Sequence, residues 1–184
     1  MPKNIEIKAR IHDFAAFQAR AEALSNTPVE IIPQEDTFFY TPHGRLKLRQ
    51  LAPDRAQLVY YQRPDQDGPK RSEYYIFETN QPDALKTVLS LALGARGIVR
   101  KTRFLYLVGQ TRIHLDEVEG LGHFMELEVV LREGQSEAEG QAIARDLMTR
   151  LGVREEDLLE GAYMDLLEQT KTANTPTPPP PASR

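Results

Sequence analysis

The chain has 184 residues, enough for one domain with its own core, and its 40% apolar and 27% charged composition is that of an ordinary globular protein. With 23 Lys and Arg against 27 Asp and Glu, the formal net charge is −4, which argues against nucleic acid or a membrane surface as partner but leaves room for a locally sorted anion site. Cysteine is absent, so disulfides and thiolate metal sites are excluded.

No apolar run reaches the ~18 residues of a membrane span, and the N-terminus, Met1-Pro2-Lys3-Asn4-Ile5-Glu6, has no apolar signal region. The expected location is the cytoplasm. In chain order, Asn4 to Ile11 alternates with period two, Ile5, Ile7, Ala9 and Ile11 on one side and Asn4, Glu6, Lys8 and Arg10 on the other. A helix is expected after Asp13, an N-cap, with Phe14, Phe17, Ala21 and Leu24 on one stripe. Glu35 to Tyr40 and Arg45 to Leu51 read as strands around the turn Thr41-Pro42-His43-Gly44. Gln57 to Gln62 and Ser72 to Glu78 flank the turn-rich Pro64-Asp65-Gln66-Asp67-Gly68-Pro69.

A second helix is expected from Pro82 to Gly94, burying Leu85, Val88, Leu89 and Ala92. Val99 to Val108, Thr111 to Val118 and Phe124 to Arg132 form a three-stranded meander. The third helix opens with a capping box, Ser136 with Glu139, presents Ile143, Leu147 and Leu151, and stops at Gly152. A short helical segment from Tyr163 to Leu167 is expected to pack on the outside. Residues 1–170 then form one domain, and 171–184, with Pro178 to Pro181, a Pro-rich disordered tail.

This pattern is an antiparallel α+β arrangement, and eight strands suffice to close a narrow barrel with the helices outside. The strand faces carry the functional signal. Glu6, Lys8 and Arg10 share a face, as do Arg45, Lys47 and Arg49. So do Lys101 and Arg103; Arg112, His114 and Asp116; and Glu126 and Glu128. On a one-sided sheet these faces would meet solvent. If three amphipathic helices cover the apolar faces instead, closure turns the charges inward, where each must be paired, hydrated or occupied by ligand. A lumen with clustered Lys and Arg and separate carboxylates suits a phosphate chain with Mg²⁺ or Mn²⁺.

At this point the sequence resembles the CYTH family, the triphosphate tunnel metalloenzymes, whose first strand carries E-x-E-x-K. Here it reads Asn4-Ile5-Glu6-Ile7-Lys8, so the second Glu and the Lys match and Asn4 replaces the first Glu. Arg45-Leu46-Lys47-Leu48-Arg49 resembles the family's phosphate-binding basic pair, Arg100-Lys101-Thr102-Arg103 its later K-x-R strand, and Asp116 through Glu128 its closing hairpin. Gln62 stands where many members have an inward Lys. The resemblance implies an eight-stranded antiparallel β-barrel, with Lys8, Lys47, Arg49, Lys101 and Arg103 gripping a triphosphate. Glu6, Glu126 and Glu128 would hold the metal, with Asp116 assisting, and Glu6, Lys8 and Glu126 would be the catalytic group. Arg45, Arg71, Glu73, Arg112 and His114 are secondary candidates.

The terminal Tyr163-Met164-Asp165-Leu166-Leu167 looks closest to the class IV adenylate cyclase branch, which implies conversion of ATP to cyclic AMP and diphosphate. The alternatives are an inorganic or thiamine triphosphatase and a non-catalytic module for polyphosphate or nucleotide. Implied partners are a nucleoside triphosphate, thiamine triphosphate or inorganic polyphosphate, without nucleic acid or membrane. Family members are often dimers, so a homodimer is compatible with the resemblance.

Overall fold

Alternation along the strands becomes, in three dimensions, the difference between the outside and the inside of a ring. The computed structural model describes residues 3–62 and 70–173. Its strands are β1 (Lys3–Arg10), β2 (Glu30–Phe39), β3 (Arg45–Ala52), β4 (Arg55–Gln62), β5 (Lys70–Thr79), β6 (Ala95–Val108), β7 (Thr111–Val118) and β8 (Gly122–Val130). They are antiparallel and close in the order β1-β5-β4-β3-β2-β6-β7-β8. The β1–β8 seam is long, running from Asn4 opposite Val130 to Arg10 opposite Phe124. The β1–β5 seam is short, Lys3 to Glu6 opposite Glu73 to Lys70. The turn expected from Pro64 to Pro69 lies outside the described residues.

The helices are α1 (Phe14–Leu24), α2 (Pro82–Leu93), α3 (Glu137–Leu151) and α4 (Tyr163–Ala173). Asp13 caps α1 by accepting from the Ala16 amide at 3.0 Å. Ser136 and Glu139 form the expected capping box on α3, which ends at Gly152 in the left-handed region, φ 76°. α1 and α3 lie on the outer face of β1, β7 and β8. They bury Ile5, Ile7, Ile113, Leu115, Leu127 and Val129 against Phe17, Ala21, Ala144, Leu147 and Leu151. Each fully buried aliphatic side chain contributes about 1.5–3 kcal/mol. The approach of α3 is close: a Cβ at Gly140 would collide with Leu131 and Ile5.

Two expectations about helices need correction. α2 touches β2 and β3 only through a narrow stripe, in which Leu85 and Leu89 meet Phe39, Leu48 and Ala56. Val88 is 60% exposed and Ala92 is also exposed, so neither is buried. α4 does not simply pack on the outside: its first turn enters one end of the barrel, with Tyr163 and Met164 buried against Phe38, Val99 and Phe124. Gly97 leaves room for Met164, whose methyl would lie 2.7 Å from a Cβ there. Asp165 fixes the helix by accepting from Arg45, Arg96 and the Ala162 amide. α4 runs to Ala173, past the expected start of the tail, and residues 174–184 lie outside the described residues. No helix among the described residues is long and apolar enough to cross a membrane.

Candidate active site in the barrel lumen

The inward positions converge. Glu6 and Lys8 of β1, Lys47 and Arg49 of β3, Lys101 and Arg103 of β6, Arg112 and His114 of β7, and Glu126 and Glu128 of β8 line one cavity of about 430 Å³. That volume suits a small organic ligand. Register explains the grouping, since Lys8 lies opposite Glu126, Glu126 opposite His114, and Glu6 opposite Glu128.

Two buried aspartates organise the basic side chains. Asp36 of β2 accepts both Arg49 Nε and Nη2, at 2.8 and 2.9 Å, and Lys47 Nζ at 2.8 Å. Asp116 of β7 accepts Arg103 Nε at 2.7 Å, Arg103 Nη2 at 2.6 Å, Lys101 Nζ at 3.0 Å and the Tyr163 hydroxyl at 3.0 Å. Each Lys-x-Arg pair is thus clamped by a carboxylate on the neighbouring strand, and the bidentate fork fixes the guanidinium plane. Asp116 is fully buried and both its oxygens are engaged. It holds Lys101, Arg103 and Tyr163 in fixed positions relative to one another.

Glu126 bridges the two halves. It lies 3.0 Å from Lys8 Nζ and accepts from Arg103 Nη2 at 2.6 Å. Burial pushes its carboxyl up, but the Lys8 and Arg103 charges and His114 reverse this and hold it well below the usual range. Burial similarly raises Asp36 and Asp116, and the adjacent basic groups override it in both. The lysines show the opposite balance. Burial and the neighbouring Arg49 bring Lys47 down to about 7, and burial and Arg103 bring Lys101 down to about 8. His114 is lowered by burial and by Arg103, and its buried Nδ1 has no hydrogen-bond partner, 3.9 Å from Glu126.

Oxygen donors suited to a hard cation gather where β1 meets β8. Glu128 accepts from the Asn4 amide and from Arg112 Nη1, the latter at 3.1 Å. The Asn4 Oδ1 is buried without a hydrogen-bond partner, an orphan that a cation would satisfy. Glu6, Glu126 and Glu128 all line the cavity, with Glu6 and Glu128 register partners, and offer oxygen donors of the kind a hard divalent cation takes. The carboxylates are held by basic and amide partners, and among the described residues no three acidic or histidine side chains stand as a ready metal cluster. Electrostatics still favours a cation. The lumen lining carries six Lys and Arg against four Asp and Glu, an excess smaller than the charge of a polyphosphate chain, so an entering polyphosphate would gain from further positive charge.

A CYTH domain profile matches residues 2–163. The chain belongs to the CYTH family. It is 30% identical over 182 residues to the adenylate cyclase CyaB of Aeromonas hydrophila, covering 93% of this chain and 92% of that one. The PH1012 protein of Pyrococcus horikoshii superposes with a TM-score of 0.78 at 27% identity, over 89% of this chain and 98% of that one. HpAC1 of Hippeastrum, named as an adenylyl cyclase and described with a dominant triphosphatase activity, shares the fold with a TM-score of 0.66 at 16% identity, covering 92% and 96%.

Within this CYTH barrel, several secondary candidates find their places. Arg112 faces the lumen at its wetter part, its side chain 45% exposed and paired with Glu128. Arg45 anchors α4 through Asp165. The side chains of Arg71 and Glu73 lie outside the described residues. Gln62 is a correction. The inward positions of β4 are Gln57, Val59 and Tyr61, so Gln62 has outward parity and donates to the Tyr60 hydroxyl at 2.8 Å. Its amide therefore replaces no lumen cation. Sequence reading missed Asp36 and Tyr163. Asp36 was legible as the inward residue of a strand running beside Lys47 and Arg49. Tyr163 carried no local signal, because only the docking of α4 brings its ring within 4.0 Å of Lys8 Nζ.

Proposed function

We propose that this CYTH protein binds a triphosphate together with Mg²⁺ or Mn²⁺ in the barrel lumen and catalyses phosphoryl chemistry on it, as a class IV adenylate cyclase. The observation that carries this reading is the convergence of five basic side chains, Lys8, Lys47, Arg49, Lys101 and Arg103, with the carboxylates Glu6, Glu126 and Glu128 on one cavity. The similarity to CyaB supports the cyclase branch.

Lys47 with Arg49 and Lys101 with Arg103, each set by its aspartate, bind the phosphate oxygens, with Lys8 completing the grip. Glu6, Glu126 and Glu128 would hold the cation, which when bound would supply charge neutralisation and polarisation of the phosphate oxygens. The ribose 3′-oxygen attacks the α-phosphorus, the bond from that phosphorus to the bridging oxygen breaks, and diphosphate leaves. The 3′-hydroxyl proton passes to the lumen carboxylate Glu6, since Glu126 is held ionised by Lys8 and Arg103. Positioning and charge stabilisation supply most of the rate.

Hydrolysis of tripolyphosphate or thiamine triphosphate would use the same cradle, with water attacking the terminal phosphorus. Incubating the purified protein with Mn²⁺ and either ATP or tripolyphosphate separates the activities. Cyclic AMP and diphosphate from ATP, without free phosphate, is the expected outcome. Phosphate release from tripolyphosphate with no cyclic product would replace the cyclase reading by the hydrolase one. Tight binding without turnover under either metal would leave a binding module.

A further inference from the structure

The barrel closes on a short seam, and one strand leaves that seam with an open edge. β5 meets β1 only from Lys70 to Glu73. Further along, the same edge of β1 is taken by another segment: Leu158 bridges Ala9, and the Leu159 amide donates to the Lys8 carbonyl at 2.9 Å. From Tyr74 to Thr79, β5 therefore pairs with β4 on one side, and among the described residues no strand pairs with its other side. A row of backbone N–H and C=O groups at a free edge is a template for another strand, and proteins blunt such edges with Lys, Pro, a bulge or a short strand. Here Tyr74-Tyr75-Ile76-Phe77 is uncharged, and its register against β4 is unbroken. Tyr75 is 57% exposed, Ile76 50% and Phe77 63%, so three successive large apolar side chains are open on both faces of the strand. The first charge after them, Glu78, is turned back to β4, where it accepts from Gln57 Nε2 at 3.1 Å.

We infer that the β5 edge from Tyr74 to Glu78 is a strand-addition interface for a second copy of this chain, the two edges running antiparallel about a two-fold axis at Ile76. An antiparallel pair of identical edges is self-complementary and closed, so it makes a dimer rather than a fibre. With the axis at Ile76, this residue faces its own copy on the lumen side. Tyr75 of each chain faces Phe77 of the other on the outer side, and Glu78 faces Tyr74. The arrangement gives two aromatic cross-strand pairs and sets no like charges opposite each other. Arg112 stands beside Tyr74, so Glu78 of the second copy arrives on a face that already carries a basic group. An axis at Phe77 would set Glu78 against Ile76, and an axis at Tyr75 would need Glu73, which β1 holds. The inference is independent of the triphosphate reading. It bears on the cavity, because Ile76 lines it and an added strand covers the side of Ile76 left open.

The test is sedimentation velocity of the full chain over a concentration series, beside two charged double variants. Tyr75→Lys with Phe77→Lys, and Tyr75→Glu with Phe77→Glu, each oppose like charges twice across the pairing. The parent is expected at twice the 20.9 kDa chain mass. Each variant alone is expected at the chain mass, its association weakened by at least about a hundredfold. Mixed in equal amounts, the two variants should recover the doubled mass, because every Lys then meets a Glu. Crosslinking decides the matter if a charged variant does not fold. The chain has no cysteine of its own, so a short thiol crosslinker should join two copies of Ile76→Cys and not two copies of Val88→Cys, on the exposed face of α2. A parent that is monomeric throughout, a doubled mass that survives in both charged variants, or a mixture of folded variants that stays monomeric would each overturn the inference. So would crosslinking at Val88 and not at Ile76.

Discussion

The two sides of the barrel are built differently. On the β1–β8–β7 side, α1 and α3 seal the outer face so completely that Ile5, Ile7, Ile113, Leu115 and Leu127 are at most 1% exposed. On the β4–β5 side the outer face stays open, with Tyr75 57% and Phe77 63% exposed. The inner faces differ in the opposite sense: the sealed wall carries Glu6, Lys8, Arg112, His114, Glu126 and Glu128, and the open wall carries Gln57, Val59, Tyr61, Tyr74 and Ile76, with no charged side chain among them. Buried ionic groups are stabilising only in accurate geometry, and those of β1, β7 and β8 sit on strands whose outer face packs against α1 and α3.

The largest expected break in this contrast is Arg103→Ala. It strips Asp116 and Glu126 of their shared guanidinium and leaves each buried carboxylate with a single lysine partner, Lys101 and Lys8, a loss of about 3–5 kcal/mol in urea unfolding. Leu127→Ala, behind the same wall, should destabilise by about 2–5 kcal/mol. Phe77→Ser on the open wall, unfolded at a dilution where the chain is monomeric, should change stability by no more than about 0.5 kcal/mol. Similar losses at Leu127 and Phe77 would remove the distinction between the walls. Arg49→Ala should weaken triphosphate binding by about 1.5–3 kcal/mol, the range for a hydrogen bond to a charged group, measured by calorimetry with Mn²⁺.

The smallest expected effect is on pH dependence. Lys47 and Lys101 lie at about 7 and about 8 in the fold against an ordinary 10.5. Between pH 7 and 10.5 the unfolded chain therefore binds more protons at these sites than the folded one. Their contribution makes stability rise with pH through that window. Triphosphate binding runs the other way: an anion favours the protonated lysines, so affinity should fall from pH 7 to 9. Lys47→Met should flatten both trends, in melting temperature and in the calorimetric constant. An affinity independent of pH over this range would contradict the placement of Lys47 in the phosphate cradle.

Much of this arrangement was legible in the chain. Period-two alternation in β1, β3, β6, β7 and β8 assigned each charged residue to one face, and the three covering helices had clear caps or breakers. The missing parts depend on tertiary position. Asp36 was inside a recognised strand, but only its pairing with β3 makes it the partner of Lys47 and Arg49. Pro33 and the unalternating start of β2 also hid how far that strand runs. Tyr163 enters the lumen because Asp165, Arg45 and Arg96 fix α4 across the barrel end, contacts separated by more than 60 residues. The parity of Gln62 followed from a presumed inward position, and the β4–β5 register reverses it. The exposure of Val88 reflects how α2 crosses the sheet, which an amphipathic pattern does not encode.

Calorimetric titration of tripolyphosphate into the parent protein and into Glu126→Gln, each with Mn²⁺ and again with excess chelator, tests the shared cradle most directly. Strong binding to the parent that requires Mn²⁺, with that requirement lost or greatly weakened in Glu126→Gln while the variant remains folded, is the predicted result. Equal affinity with and without Mn²⁺, unchanged by the substitution, would contradict a lumen in which carboxylate-held metal and basic side chains act on one triphosphate.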